Sequence, residues 1–265
     1  MATFTCSCGT LMTECPFWLQ VRDGMHDAGH PDFELANFDL GFDHRRSRTL
    51  NRMRVGSLRW SALEIMRDAA FRLWPGDEAA MRAIGQRNRQ FASTVTTIDG
   101  GRTFVDASKE RLRARFLRRY VDPGVKVIHL VRDVRGVVAS ARGHSSHAAS
   151  SVEGLARGWA KTNDAIARVS GAWGPNLYLR VGYEELCRDP TAVLAGMYAF
   201  CGVAPLKAPP PLNELHLLGN RVRMASLDEI RLDERWKTAL TPDEQAAVLE
   251  LAAPTRRRLA ARPPG

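Results

Sequence analysis

Val125-Lys126-Val127-Ile128-His129-Leu130-Val131-Arg132-Asp133-Val134-Arg135-Gly136-Val137-Val138-Ala139-Ser140 decides the fold class. Val125 to Val131 is a β-branched, mostly apolar run, with the turn residues Asp122-Pro123-Gly124 in front of it. That pattern predicts a strand buried on both faces. At Arg132-Asp133 the chain turns polar. Val134, Val137, Val138 and Ala141 then share one helical face, and Asp133 is placed to cap that helix. Strand, charged turn and helix make half of a βαβ unit. In open parallel sheets, ligands bind beyond the carboxyl ends of the strands. Arg132 stands at that edge, where a permanently charged planar fork suits a phosphate. Ser140 offers a hydroxyl about two turns along the helix.

Before this stretch, Thr103 to Asp106 reads as a short strand and Lys109 to Tyr120 as a helix. Ahead of those, helical spacing over 57–73 and 77–93, broken at Trp74-Pro75-Gly76, predicts a pair of helices inserted before the first strand. Residues 1–18 read as an irregular loop ending in Cys15-Pro16-Phe17-Trp18. After the stretch come a polar loop with His144 and His147, a helix over 152–170, a third parallel strand over 177–181 and a helix over 190–201. Ala208-Pro209-Pro210-Pro211 is a stiff linker. Thr241-Pro242-Asp243-Glu244 opens a last helix: the threonine caps, proline takes the first position and acids follow.

Leu130-Val131-Arg132-Asp133-Val134-Arg135, with Ser140 eight residues after Arg132, resembles the 3′-phosphate-binding motif of the PAPS-dependent sulfotransferases. The donor of that family is 3′-phosphoadenosine 5′-phosphosulfate (PAPS). Val105-Asp106-Ala107-Ser108-Lys109, Val181-Gly182-Tyr183-Glu184-Glu185-Leu186 and Gly219-Asn220-Arg221-Val222-Arg223 fit further family segments in the right order. The resemblance implies an α/β fold: a P-loop-NTPase-like three-layer sandwich with a short parallel sheet and a helical insert. It implies one sulfotransferase-like domain over 1–265, with a loop and insert region at 1–56, a helical insert at 57–95, and a nucleotide-binding core with C-terminal helices at 100–265.

The activity it implies is transfer of a sulfuryl group from PAPS to a hydroxyl or amine of a small-molecule, glycan or lipid acceptor. Such transfer needs positive donors for the charge on the sulfuryl oxygens, and a base for the acceptor's proton. By resemblance, Ser108 and Lys109 are the catalytic, sulfate-side pair. Arg132 and Ser140 hold the 3′-phosphate, Tyr183 lies near the nucleotide, and Gly219, Asn220, Arg221 and Arg223 close on the phosphate. Read from the residues alone, each has a plainer alternative: a salt bridge and a cap, a helix-start serine with a solvated lysine, a packing tyrosine, a basic surface loop.

The family also carries a Gly-rich loop after its first strand, whose N–H groups cradle the 5′-phosphosulfate. No such segment is found here. Gly9-Thr10 belongs to a cysteine-rich stretch, and Gly143-His144-Ser145-Ser146 follows a helix. The expectation is therefore a sheet lacking its first strand, an N-terminally truncated chain and weak sulfate transfer; His144 and His147 are candidates for the lost base, but read more plainly as solvated loop residues. A PAPS-binding remnant without catalysis is the alternative, and a basic nucleic-acid-interaction protein a weaker one.

A net charge of +9 over 265 residues suits an anionic partner. Much of it falls on Arg111, Arg113, Arg115, Arg118 and Arg119, which read as a solvated helix face, and no basic stripe is interleaved with aromatics as single-strand binders require. No specific nucleic-acid partner is expected. No apolar run approaches the ~20 residues of a membrane helix, and Met1-Ala2-Thr3-Phe4-Thr5 does not start a signal peptide, so a cytoplasmic location is expected. Cys6, Cys8 and Cys15 read as reduced residues of an ordered loop. A zinc site would need His26 or His30 as its fourth ligand, and no metal is expected. Cys187 and Cys201 read as helix-packing residues.

Overall fold

The computed structural model describes residues 4–35, 61–72, 75–107, 111–143, 150–206, 211–218 and 230–261. Ser108, Lys109, His144, His147, Gly219, Asn220, Arg221 and Arg223 lie outside the described residues. Two compact units are present: residues 1–125 with 207–228, and residues 126–206 with 229–265.

In the first unit, helices α1 (Pro16–Asp27), α2 (Ser61–Arg72), α3 (Pro75–Asp99) and α4 (Arg111–Phe116) surround two apolar clusters, and a π-helical turn, Leu117–Val121, continues α4. The irregular reading of residues 1–18 is corrected at its end. Pro16 sits in the first turn of α1, where it has no N–H to leave unpaired and its fixed φ suits a helix. Trp18, Val21 and Met25 of α1 are buried with Phe33, Leu35 and Phe91. Phe91 lies between Trp18 and Phe33, with ring centroids 6.3 and 5.9 Å away. A second cluster joins Met81 of α3 to Phe116 of α4.

Arg113, Arg115 and Arg119 are not a solvated face. Arg115 pairs with Glu64 at 2.7 Å and Asp68 at 2.6 Å on α2, and Arg119 with Asp68 and Glu78 at 3.3 Å each. Arg113 pairs with Asp106 and donates to Asn88 Oδ1 at 2.8 Å. These arginines are thus engaged in ion pairs within this unit, Arg115 and Arg119 with acids 41 to 51 residues away in sequence. The same contacts explain why Thr103 to Asp106 is not the expected strand. Phe104 packs edge-on against Phe91 at 5.8 Å and Asp106 holds Arg113, so the segment is anchored to helices while Val105 faces solvent.

The second unit holds the sheet. Strand β1 (Val127–Val131) pairs in parallel with β2 (Tyr178–Gly182), in register from Val127↔Tyr178 to Val131↔Gly182. Among the described residues the sheet has these two strands, where three were expected. β1 is not buried on both faces: His129 is 5% exposed but its neighbour Leu130 is 49% exposed. Helices α5 (Val134–Arg142), α6 (Val152–Val169), α7 (Tyr183–Arg188), α8 (Pro190–Cys201), α9 (Trp236–Ala239) and α10 (Pro242–Ala261) complete the unit. Val134 and Val138 of α5, Ala156 and Trp159 of α6, and Val248, Ala252 and Leu259 of α10 form its core. The start of α10 follows its sequence signature. Glu244 N donates to Thr241 Oγ1 at 3.2 Å and Thr241 N to Glu244 Oε2 at 2.9 Å, a reciprocal capping box. No helix among the described residues is long and apolar enough to cross a membrane.

Candidate functional site

The second unit gathers its polar side chains where β1 ends. Asp133 caps α5, accepting from Arg135 N at 2.8 Å and from the Arg135 guanidinium at 3.0 and 2.8 Å. Burial opposes the charge on Asp133, but the Arg135 fork outweighs it and holds the carboxyl below its ordinary range. Asp133 N donates to Glu184 Oε1 at 2.8 Å, which ties the β1–α5 turn to the helix that follows β2. Arg135 lies over the Trp236 ring, 3.8 Å from its centroid.

Arg132 is fixed from three directions. Its carbonyl accepts from Trp159 Nε1 at 3.1 Å. Its guanidinium lies over the Tyr183 ring at 4.7 Å from the centroid, and donates through Nη2 to the backbone oxygen and the carboxylate of Asp233, each at 3.0 Å. The fork also runs across Gly136, where a Cβ would stand 2.7 Å from Arg132 Nε and 3.0 Å from Nη2. Only glycine gives the guanidinium that bed on the first turn of α5. Ser140 is one turn further on the same face, since i and i+4 are neighbours on a helix, and it is exposed. Tyr183 OH donates to Arg231 O and accepts from Asp233 N, both at 3.1 Å, so the 231–233 segment is pinned beside Arg132. Burial raises the Tyr183 phenol above its ordinary value. Arg235 first, and Arg132 with it, hold the Asp233 carboxyl far below the usual carboxylate range.

Beneath the turn runs a buried polar chain. Asn163 Nδ2 donates to Trp159 O at 2.8 Å, so its Oδ1 faces His129 Nε2 at 2.9 Å, and His129 Nδ1 lies 2.8 Å from Tyr178 OH. These partners fix the tautomer. Nε2 carries the proton toward Asn163, and Nδ1 accepts from the tyrosine. Burial lowers the His129 pKa, which keeps the imidazole neutral. Through Trp159 the chain ends on the carbonyl of Arg132.

The family model described as "Sulfotransferase family" matches residues 22–207. The chain belongs to the sulfotransferase family. No curated protein matches it. Among solved structures it is similar to the sulfotransferase domain of the Synechococcus PCC 7002 olefin synthase, with 20% identity over 92% of this chain and 90% of that one and a TM-score of 0.45.

Of the residues expected to serve sulfotransferase chemistry, Arg132 and Tyr183 are in contact and Ser140 shares the helix face that carries the Arg132 fork. Reasoning from sequence missed four contributors. Gly136 and Glu184 lay inside quoted segments, and a glycine one turn after an arginine was a usable signal. His129, a lone polar residue in an apolar run, was another. Asp233 carried no signal, being 101 residues from the arginine it holds.

Proposed function

We propose that this sulfotransferase-family chain takes PAPS as its donor, holding the 3′-phosphate at the β1–α5 turn, and transfers the sulfuryl group to a hydroxyl or amine acceptor. The observation that carries this is the Arg132 fork, bedded on Gly136 and already bound to a carboxylate, Asp233. An oxyanion of like sign and hydrogen-bonding habit can take that carboxylate's place. Ser140 would add a hydroxyl donor one turn away. The Tyr183 ring keeps the guanidinium in plane. Gly219, Asn220, Arg221 and Arg223 would close on the phosphate from their loop. Ser108 and Lys109 would donate to the sulfuryl oxygens, where charge develops during transfer.

Titration calorimetry with adenosine 3′,5′-bisphosphate (PAP), the product nucleotide, tests the reading. Binding in the micromolar range is expected for the wild type, with a loss of about a hundredfold in Arg132→Ala. Equal affinity in the two proteins would overturn it. Labelled PAPS with a panel of hydroxyl and amine acceptors then separates catalysis from binding. Label transfer that falls in Arg132→Ala supports the enzyme, and PAP binding with no transfer to any acceptor favours a non-catalytic PAPS-binding role.

A further inference from the structure

The first unit places three sulfurs and one imidazole around a single point. Cys6 and Cys8 sit on a small hairpin closed by the Thr5↔Leu11 bridge. Its tip is tight: Cys6 N donates to Thr10 O at 2.8 Å, Gly9 N donates to Cys6 O at 2.9 Å, and Gly9 takes φ 94°. Cys15 caps the start of α1 with no side-chain hydrogen bond to that helix. His216 arrives from 201 residues further along the chain. Cys15 Sγ is 3.6 Å from Cys6 Sγ and 3.6 Å from Cys8 Sγ. His216 Nδ1 is 3.4 Å from Cys15 Sγ and 3.7 Å from Cys6 Sγ. All four ligand atoms lie within 4.8 Å of one another.

We infer that Cys6, Cys8, Cys15 and His216 form a structural zinc site, independent of the sulfotransferase reading. Zn–S bonds of about 2.3 Å and Zn–N bonds of about 2.0 Å at tetrahedral angles put sulfurs about 3.8 Å apart and sulfur and nitrogen about 3.5 Å apart. Four of the six separations, 3.4 to 3.7 Å, match those edge lengths. They are far too long for a disulfide, and all three cysteines are reduced. Three thiolates and one imidazole fill the coordination shell, so the metal here has no open position for chemistry.

The surroundings hold the histidine as a ligand. His216 is the one non-glycine residue with positive φ among the described residues, at 46°, a sparsely populated conformation that needs a reason. Its ring stacks on Phe17 at 4.8 Å and 2°. Its carbonyl accepts from Trp18 Nε1 at 3.0 Å. The next residue is locked on both sides: Leu217 N donates to Ser7 Oγ at 2.8 Å, and Ser7 N to Leu217 O at 3.0 Å. Plain thiol packing explains buried cysteines, but not an imidazole nitrogen aimed at two of them from a strained backbone. His26, one of two fourth ligands considered from sequence, is occupied elsewhere, its Nε2 donating to Phe33 O at 2.8 Å.

The test is metal content. Untagged protein from zinc-supplemented cells, dialysed against a weak chelator, should retain one zinc per chain by mass spectrometry. Cobalt in its place should show the intense visible bands of a tetrahedral thiolate site. His216→Ala and Cys8→Ser should lose zinc, while the double variant Cys187→Ser, Cys201→Ser keeps it. Where a ligand variant fails to fold, the wild type still decides. Stripping it with a strong chelator should release three further thiols to a thiol reagent and lower the Tm by about 10 °C, reversed by zinc. Folded wild type without zinc, zinc lost on mild dialysis, iron in its place, or full zinc in folded His216→Ala would each overturn the site.

Discussion

The turn after β1 and the cysteine hairpin each converge polar groups on one ion-sized point, and they are built from opposite kinds of sequence. At the turn, most of the machinery is local: Arg132, its glycine bed at Gly136, the Asp133 cap and Ser140 lie within nine residues. The hairpin is closed by His216, 210 residues from Cys6. The turn is held by charge and hydrogen bonds that partly face solvent, whereas Cys6 and Cys15 have no exposed surface. A local site can be tuned by one ligand-facing residue. A long-range one has to be nailed together, and a metal supplies binding energy that loop entropy would otherwise oppose. If that contrast is right, breaking one site should leave the other intact.

The largest expected effect is Arg132→Ala, about 3 kcal/mol of PAP affinity from lost charge-assisted hydrogen bonds. In the same protein, zinc content should stay at one per chain. Loss of zinc in a folded Arg132→Ala protein would mean the two sites are not separable. The next effect tests whether the turn rests on its buried polar chain. Asn163→Ala strands the His129 Nε2 proton, a buried donor to that amide, while the Trp159 carbonyl keeps its partner within the helix. Leaving such a donor unsatisfied costs about 2 kcal/mol or more. Hydrogen exchange at the β1 amides should accelerate by a corresponding factor of about thirty, while the amides of α1 stay as they were. Unchanged exchange in β1 would remove the chain from the account of how Arg132 is positioned.

The contrast also explains what the sequence could say. The strand–turn–helix at 127–142, the cap at Asp133, the helices over 152–169 and 190–201, and the capping box at Thr241 are written in residues a few positions apart, and all are observed. Errors arose where distant side chains decide. Thr103 to Asp106 has strand-like residues, but Phe91 and Arg113 claim its side chains. The arginines after Arg111 look solvated until α2 and α3 bring Glu64, Asp68 and Glu78 beside them. Pro16 announced a helix start that the cysteine-rich context hid. At the candidate sites the same line holds. That Arg132 and Tyr183 meet was within reach of their positions at the ends of two strands; the contacts of Asp233 and His216 were not, because nothing near either one in sequence points to its partner.

A smaller effect, in pH, sharpens the role of His129. Burial holds its folded pKa below the unfolded value of about 6.5. Below about pH 6.5 the unfolded state therefore binds a proton that the native state refuses. Its contribution is complete above about 6.5 and is lost as pH falls toward the folded value, with a slope of at most about 1.4 kcal/mol per pH unit. In His129→Gln that slope should vanish from the β1 opening free energy read by hydrogen exchange between about pH 7 and 5.5. Parallel wild-type and variant pH profiles would show that the imidazole is not buried neutral.

The smallest effect asks what Asp233 does, and it can reverse sign. In the free protein the Arg132 guanidinium pairs with the Asp233 carboxylate at 3.0 Å, with both side chains 21% exposed. A phosphate bound at the same fork has to displace that carboxylate or sit beside it. Pairs this accessible contribute about 0.5–1 kcal/mol, and the carboxylate also repels a dianion. Asp233→Asn keeps the side-chain size and the backbone oxygen that Arg132 also uses, but removes the charge. PAP affinity should then rise about two- to fivefold, and the gain should shrink as salt screens the repulsion. The loss of the Arg235 pair matters little, because Arg235 is 83% exposed. A fall in affinity would mean the opposite design: Asp233 would be the residue that holds the fork in plane for its ligand, and the turn would be as rigidly prebuilt as the cysteine hairpin. Calorimetry at low and high salt on the two proteins separates a carboxylate that competes from one that preorganises.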